Sequence, residues 1–265
     1  MLIFAGFAVL YMLAPIIVIA VFSFDAGNEQ AELDFTFSGL TLEPWKDAFA
    51  VEEVNESMLT SLKLAAVASL ASTAIGTLMA MALVRYEFFG RRASNLLIVL
   101  PMATPEIVIG AALLSMFITY NIERGFSTLF IAHVMFSISF VVVVVRSRLI
   151  GFDRSIEEAA ADLGSPPLTT FRTVTLPLMA PAIIAAALLA FALSIDDFVI
   201  SQFNTSATTT TFPLYIFGAQ LRGIPVQVNV LATMLFAVTV VAIALVLAQQ
   251  RRAERMASVR PEPEV

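Results

Sequence analysis

Six stretches of the chain stay apolar long enough to cross the ~30 Å hydrocarbon core of a bilayer: residues 2–22, 58–84, 95–119, 126–145, 178–200 and 228–248. Polar and charged residues collect between them, and this alternation predicts six membrane-spanning helices. The long polar interruptions are residues 23–57 and 146–177. Within the second, Ile156, Ala159, Ala160 and Leu163 recur at helical spacing, which predicts a short amphipathic helix over about 153–163 with Glu157, Glu158 and Asp162 towards water. Gly164 then offers the left-handed conformation that ends a helix. Ser165 followed by Pro166 reads as a new helix start, the hydroxyl capping free N–H groups and the proline standing where no N–H is needed. Two short helices at an angle make a rigid elbow, able to lie in a groove of a partner and to pass movement to the helices it joins.

Composition changes this picture from a pattern into a class. A chain of 265 residues that is 59% hydrophobic and 14% charged, with a mean hydropathy of +0.89, cannot hide its apolar surface in a water-soluble core of its size. With no cysteine it has neither disulfides nor a thiolate metal site. Charge sets the expected orientation. Arg85, Arg91 and Arg92 follow the second segment, Arg146, Arg148, Arg154 and Arg172 follow the fourth, and Arg251, Arg252, Arg255 and Arg260 occupy the tail, whereas the opposite side holds Lys46, Arg124 and Arg222. The excess of positive charge places both termini and the 146–177 loop in the cytoplasm. The first segment has no basic residue before it and no small-residue cleavage site after it, so a retained helix is expected rather than a removable signal. Residues 23–57 carry nine acids against Lys46. That run reads as a solvated external loop, or as a surface that attracts a basic partner or cationic substrate.

Candidate chemistry lies in the polar groups inside the apolar segments, where an ionisable side chain needs a partner or water. Glu106 lies ~18 Å along the third segment from Ser94, counting 1.5 Å per residue. Pro101 and Pro105 remove backbone donors just before it and should kink or open the helix. Open backbone at that depth must face protein or a water-filled cavity, so Glu106 is taken as a pathway residue, with a structural partnership to a neighbouring helix as the alternative. Asp196 and Asp197 fall in the outer half of the fifth segment. Adjacent residues on a helix point ~100° apart, which places Ser194, Asp197 and Ser201 on one face and Asp196 elsewhere. The two acids either meet a cation or are hydrated near the outer surface. His133, the single histidine, reads as a hydrogen-bonded packing residue of the fourth segment, and Ala68, Ser72, Gly76 and Ala80 form a small-residue stripe for close helix packing. Neither lysine belongs to a glycine-rich phosphate loop, so the chain has no nucleotide site of its own.

One spacing ties these features together: Glu158-Ala159-Ala160, three residues, Gly164, nine residues, then Val174-Thr175-Leu176-Pro177. It resembles the cytoplasmic coupling loop of permease subunits from ATP-binding-cassette (ABC) importers, with valine where the family has an isoleucine-like residue. The run Ser194 to Ser201, Gly151-Phe152-Asp153, Pro105-Glu106-Ile107-Val108 and Asn229-Val230-Leu231-Ala232-Thr233 are similar to the second permease subunit of spermidine/putrescine importers, and the likeness covers nearly the whole chain.

The resemblance implies an all-α, six-span permease of the type I importer fold, multi-pass in the bacterial inner membrane. Its transmembrane domain would be residues 1–250, with the external loop 23–57, the cytoplasmic coupling loop 146–177 and a tail at 251–265. ATPase coupling would fall on Glu158, Ala159, Ala160, Asp162, Gly164, Leu176 and Pro177. Polyamine passage would fall on Glu106, Asp196, Asp197, Ser194 and Ser201. The implied partners are a second permease, two ABC ATPase subunits that hold ATP and magnesium, an extracytoplasmic solute-binding protein and the lipid bilayer, with no nucleic acid. The chain itself would be no enzyme and would hold no metal or cofactor. Another solute such as a metal cation would ask for the same buried charge, and a gradient-driven transporter is the further alternative, although it has no use for the coupling pattern. An intramembrane hydrolase is poorly served by one histidine and adjacent aspartates.

Overall fold

The computed structural model describes residues 2–26, 37–220 and 223–241. It opens with an apolar helix, α1, over Leu2–Phe22, followed by a one-turn helix, α2, over Glu43–Lys46. The next two predicted spans differ from expectation, one in length and one in continuity. Helix α3 runs Glu52–Arg85, starting six residues ahead of the predicted segment. The predicted 95–119 span is two helices, α4 over Arg91–Ala103 and α5 over Glu106–Thr119, bent by 111°. Pro105 has no N–H to donate, and Thr104 adopts an extended backbone with ψ 133° as the residue before a proline tends to do. The ~18 Å depth for Glu106 assumed a straight helix, and the bend removes that assumption.

Beyond the bend, α6 covers Phe126–Ile150, α7 Ser155–Asp162 and α8 Pro167–Thr170. A π-helical turn over Phe171–Thr175 leads into α9, Leu176–Ile195. The predicted 178–200 span is interrupted here: α9 stops at Ile195, and α10 restarts over Val199–Asn204. Helix α11 covers Phe212–Ala219, and α12 covers Val226–Val241. Among the described residues four helices are long and apolar enough to cross a membrane, with the bent α4–α5 pair a fifth if taken as one span. The sixth predicted segment is described only as far as Val241, and the tail 251–265 and Glu29, Glu32 and Asp34 of the acidic loop lie outside the described residues.

The described residues group into two units, one drawn from Met1–Asn55 and Ile216–Val265, the other Glu56–Tyr215. In the first, the Phe24 and Trp45 rings stack at 5.1 Å, the Trp45 indole donates to the Ser23 hydroxyl at 3.3 Å, and Asp25 accepts the Ser38 N–H at 2.8 Å. These contacts fold parts of the 23–57 loop back towards the end of α1.

The second unit has two apolar cores. One joins Ala80 and Leu83 of α3, Ile98 of α4, Val141, Val142, Val145 and Leu149 of α6, and Met179, Ala186 and Ala190 of α9. The other joins Ile109, Leu113 and Phe117 of α5 to Ala132 and Phe136 of α6 and Ile200 of α10. The small-residue stripe explains the close approach of α3: Ala68, Ser72 and Ala80 are fully buried, and a Cβ at Gly76 would sit 2.6 Å from Val141 Cγ1. Small side chains let helix backbones come together where lipid supplies no hydrophobic drive between them.

Candidate functional site: a coupling elbow and a polar break

Helix α7 begins where the Asp153 carboxylate accepts the N–H of Ser155 at 2.9 Å. That backbone hydrogen bond, helped by the Ser155 side chain, holds the Asp153 carboxyl below its ordinary range. The helix ends on Gly164, whose φ of +80° is the left-handed region that favours glycine. Its N–H donates to the carbonyl of Ala161 at 2.8 Å, and the N–H of Ser165 reaches back to Ala160 at 3.0 Å. This pair of bonds is a Schellman stop, which satisfies two carbonyls the helix would otherwise leave open.

Three expectations about the elbow need correction. The Ser165 hydroxyl accepts from the Thr170 hydroxyl at 3.0 Å and caps no N–H. The proline in the first helical position of α8 is Pro167, because Pro166 is still extended with ψ 151°. Glu157 does not face water. It turns inward, and its Oε1 lies 2.6 Å from Arg85 Nη2 and also accepts the Thr175 hydroxyl. A carboxylate turns towards an available guanidinium, and amphipathic spacing cannot register a partner 72 residues away in the chain.

Glu158, Ala159 and Asp162 are exposed on α7, while Ala160 is half-buried. Leu176 and Pro177 open α9 with exposed side chains. The apolar positions of the elbow are open too: Ile156 is 46% exposed, Leu163 90% and Leu168 68%. An apolar edge on two short helices, framed by acids, has the form of a surface that a partner covers.

The second site is the interruption between α9 and α10. The Asp197 carboxylate caps the restart, with Oδ1 accepting the N–H of Ile200 at 3.2 Å and Oδ2 that of Ser201 at 2.8 Å. Oδ2 also lies 3.4 Å from His133 Nε2 on α6, with the two side chains only 5% and 2% exposed. The histidine ring is held on both edges, Nδ1 at 2.7 Å from the Ser194 hydroxyl and Nε2 at 3.0 Å from that of Ser201. Ser194, Asp197 and Ser201 therefore do converge, but through a helix break closed by a cap rather than along one continuous helix face. Asp196 ends α9 and is exposed. Thus the adjacent acids are split: one carboxylate is occupied inside the protein, and the other is open.

Helix α10 is stapled to its neighbours. The Asn204 side-chain amide donates to the Ile200 carbonyl at 2.8 Å, and the backbone carbonyl of Asn204 accepts the Thr128 hydroxyl at 2.9 Å. A Cβ at Gly110 of α5 would meet the Phe203 ring at 2.8 Å. Glu106, exposed, is the first residue of α5, where a carboxylate is favoured by the helix dipole. Sequence reasoning missed Arg85, Glu157 and Thr175 as one group, since their positions are far apart in the chain and each is ordinary alone.

Apolar helices broken at polar turns, with an exposed elbow between two of them, have the form of a transporter's membrane subunit. Solved ABC transporters share the fold. A bacterial ABC transporter involved in the import of the acidic polysaccharide alginate superposes with a TM-score of 0.65 at 17% identity, covering 94% of this chain and 93% of that one. An amino acid ABC transporter does so at 0.57 and 15%, covering 80% and 96%. Residues 72–255 match the family of binding-protein-dependent transport system inner membrane components, and the chain belongs to that family. It is an inner-membrane permease subunit of an ABC importer and works with other subunits. Among its relatives, the putrescine transport system permease protein PotI of Escherichia coli K12 is 36% identical over 237 residues, 87% of this chain and 82% of that one. The spermidine/putrescine transport system permease protein PotC of Haemophilus influenzae is 34% identical over 240 residues, 91% of each.

Proposed function

We propose that this permease subunit carries polyamines, putrescine or spermidine, inward across the membrane, and that partner ATPase subunits drive it through the elbow. The observation that carries the cargo is the 34–36% identity over most of the chain to permeases named for putrescine and spermidine. The chemistry of the breaks agrees with it. A flexible polycation leaving water needs carboxylates to replace its hydration, and Asp196 and Glu106 are exposed carboxylates beside interrupted helices. Backbone interrupted within an apolar span is tolerated where it lines a watery passage.

The elbow supplies the other half of the reading. Its exposed apolar edge of Ile156, Leu163 and Leu168 suits a groove on an ATPase subunit, with Glu158 and Asp162 beside it. A second permease would complete the passage, and an external binding protein would deliver the solute. ATP and magnesium would be held by the ATPase subunits, so residues of this chain move shape and charge and make or break no covalent bond. The permease would alternate between states that open to opposite sides, with ATP shifting their populations.

The test is ATP-dependent uptake of labelled putrescine and spermidine into proteoliposomes that hold the full complex and its binding protein. Saturable uptake, reduced at least tenfold by Asp196→Asn in a complex that still assembles, is expected. Binding-protein-stimulated ATP hydrolysis without uptake of either amine would keep the importer and overturn the cargo.

A further inference from the structure

One carboxylate oxygen joins three segments of the second unit. Glu157 Oε1, on α7, lies 2.6 Å from Arg85 Nη2 in the last turn of α3 and accepts the hydroxyl of Thr175, where the π turn passes into α9. The partners lie 72 and 18 residues away along the chain. The ion pair is largely withdrawn from solvent, at 20% and 17% exposure, and Thr175 is buried. A pair so placed is screened less by salt than one on the open surface.

The geometry makes α7 two-sided. Ile156, Leu163 and the neighbouring Glu158 are left outward, and Glu157 alone of the helix's acids grips inward. The inward grip gives a push on the outward side a direct path to α3 and α9, whereas along the chain the elbow reaches α9 through a π turn, whose i→i+5 hydrogen bonding departs from the regular helix on either side. Without the grip, a shift of α7 can be absorbed at Phe171–Thr175 before it reaches α9, and α3 loses its direct hold on α7. We propose that Glu157 is the positioning residue through which the elbow moves α3 and α9 together, with the Arg85 guanidinium and the Thr175 hydroxyl as its two holds. This rests on the proposed role of the elbow as the receiver of ATPase movement, and it does not depend on which solute is carried.

The test uses the assembled complex in lipid with its own binding protein, comparing Glu157→Ala, Arg85→Glu, Glu157→Arg and the exchanged pair Arg85→Glu/Glu157→Arg. The readout, per mole of assembled complex, is the ratio of ATP hydrolysis with the binding protein to hydrolysis without it. Each single variant is expected to lower that ratio by about tenfold, within the range of ordinary coupling between sites, and the exchanged pair is expected to recover most of it. Single variants that assemble and keep the wild-type ratio would overturn the proposal. So would an exchanged pair no better than Glu157→Arg alone. A wild-type complex with no stimulation at all would overturn the elbow's role and this inference with it. Failure of the polyamine reading shows separately, as stimulated hydrolysis without polyamine uptake.

Discussion

Asp197 Oδ2 stands 3.4 Å from His133 Nε2, and the same carboxylate accepts the backbone N–H groups of Ile200 and Ser201. One side chain thus ends the gap in the fifth apolar segment and fastens the restarted helix to α6. Loss of that carboxylate removes a helix cap, leaving the N–H groups of Ile200 and Ser201 without it, and takes away the charged group beside a buried imidazole. Asp197→Ala is therefore expected to destabilise the complex by about 1–3 kcal/mol, read as a lower unfolding temperature in detergent and a lower yield. Asp196→Ala, at an exposed position, is expected to leave both unchanged. Equal unfolding temperatures for the two variants would contradict the division of roles between these neighbours.

Gly164 has open space around it, so its requirement is conformational: nothing lies within 4 Å of an added Cβ, but φ is +80°. Gly164→Ala should cost about 1–2 kcal/mol locally, the cost of a left-handed non-glycine residue, and leave transport measurable. Gly164→Pro removes the N–H that bonds Ala161 and forbids the backbone angle. It is expected to leave the protein inserted while ATP hydrolysis no longer tracks uptake. Coupled uptake at the wild-type rate in the proline variant would show that the turn is dispensable.

The crossing of α3 and α6 makes a packing prediction. At Gly76 an added Cβ would sit 2.6 and 2.9 Å from Val141 Cγ1 and Cβ, atoms close to the backbone with little freedom to move. Gly76→Ala should destabilise by about 1–3 kcal/mol, as overpacking does. Combining it with Val141→Ala should restore part of the loss, measured as the midpoint of thermal unfolding. At Gly110 the obstacle is the edge of the Phe203 ring at 2.8 Å, so Gly110→Ala is expected to be milder.

Leu163 is 90% exposed at the end of α7, and Ile156 is 46% exposed near its start. Leu163 is almost wholly open and Ile156 about half so, and charge at these positions falls mainly on the outward surface. Ile156→Asp/Leu163→Asp should leave the permease stable but lower its co-purification with ATPase subunits by about tenfold, roughly the 1.4 kcal/mol that a buried apolar anchor commonly supplies. Unchanged co-purification would remove this edge from the interface.

Much of the architecture was legible in the apolar segments, because a bilayer imposes a minimum apolar length on every helix that crosses it. The elbow was legible for a different reason: glycine at 164 and the proline pair after it limit the backbone angles available to an interrupted helix. Even so, the start of α8 fell one residue later than expected, since either of two adjacent prolines can open a helix. The two prolines before Glu106 announced a break but not its 111° size, which packing of α4 and α5 against different cores decides.

Residue order alone therefore settled the class, the apolar segments, the position of the elbow and the acids worth attention. These follow from local rules: hydropathy over a fixed length, backbone angles, and the cost of an ionisable group in an apolar stretch. Tertiary structure alone decided what each acid faces. Asp197 and Glu157 are no different in sequence from the exposed Asp196 and Glu158 beside them. They differ because His133 and Arg85, distant along the chain, lie within reach of one member of each pair, and a hydrogen bond or ion pair forms only within about 3 to 4 Å.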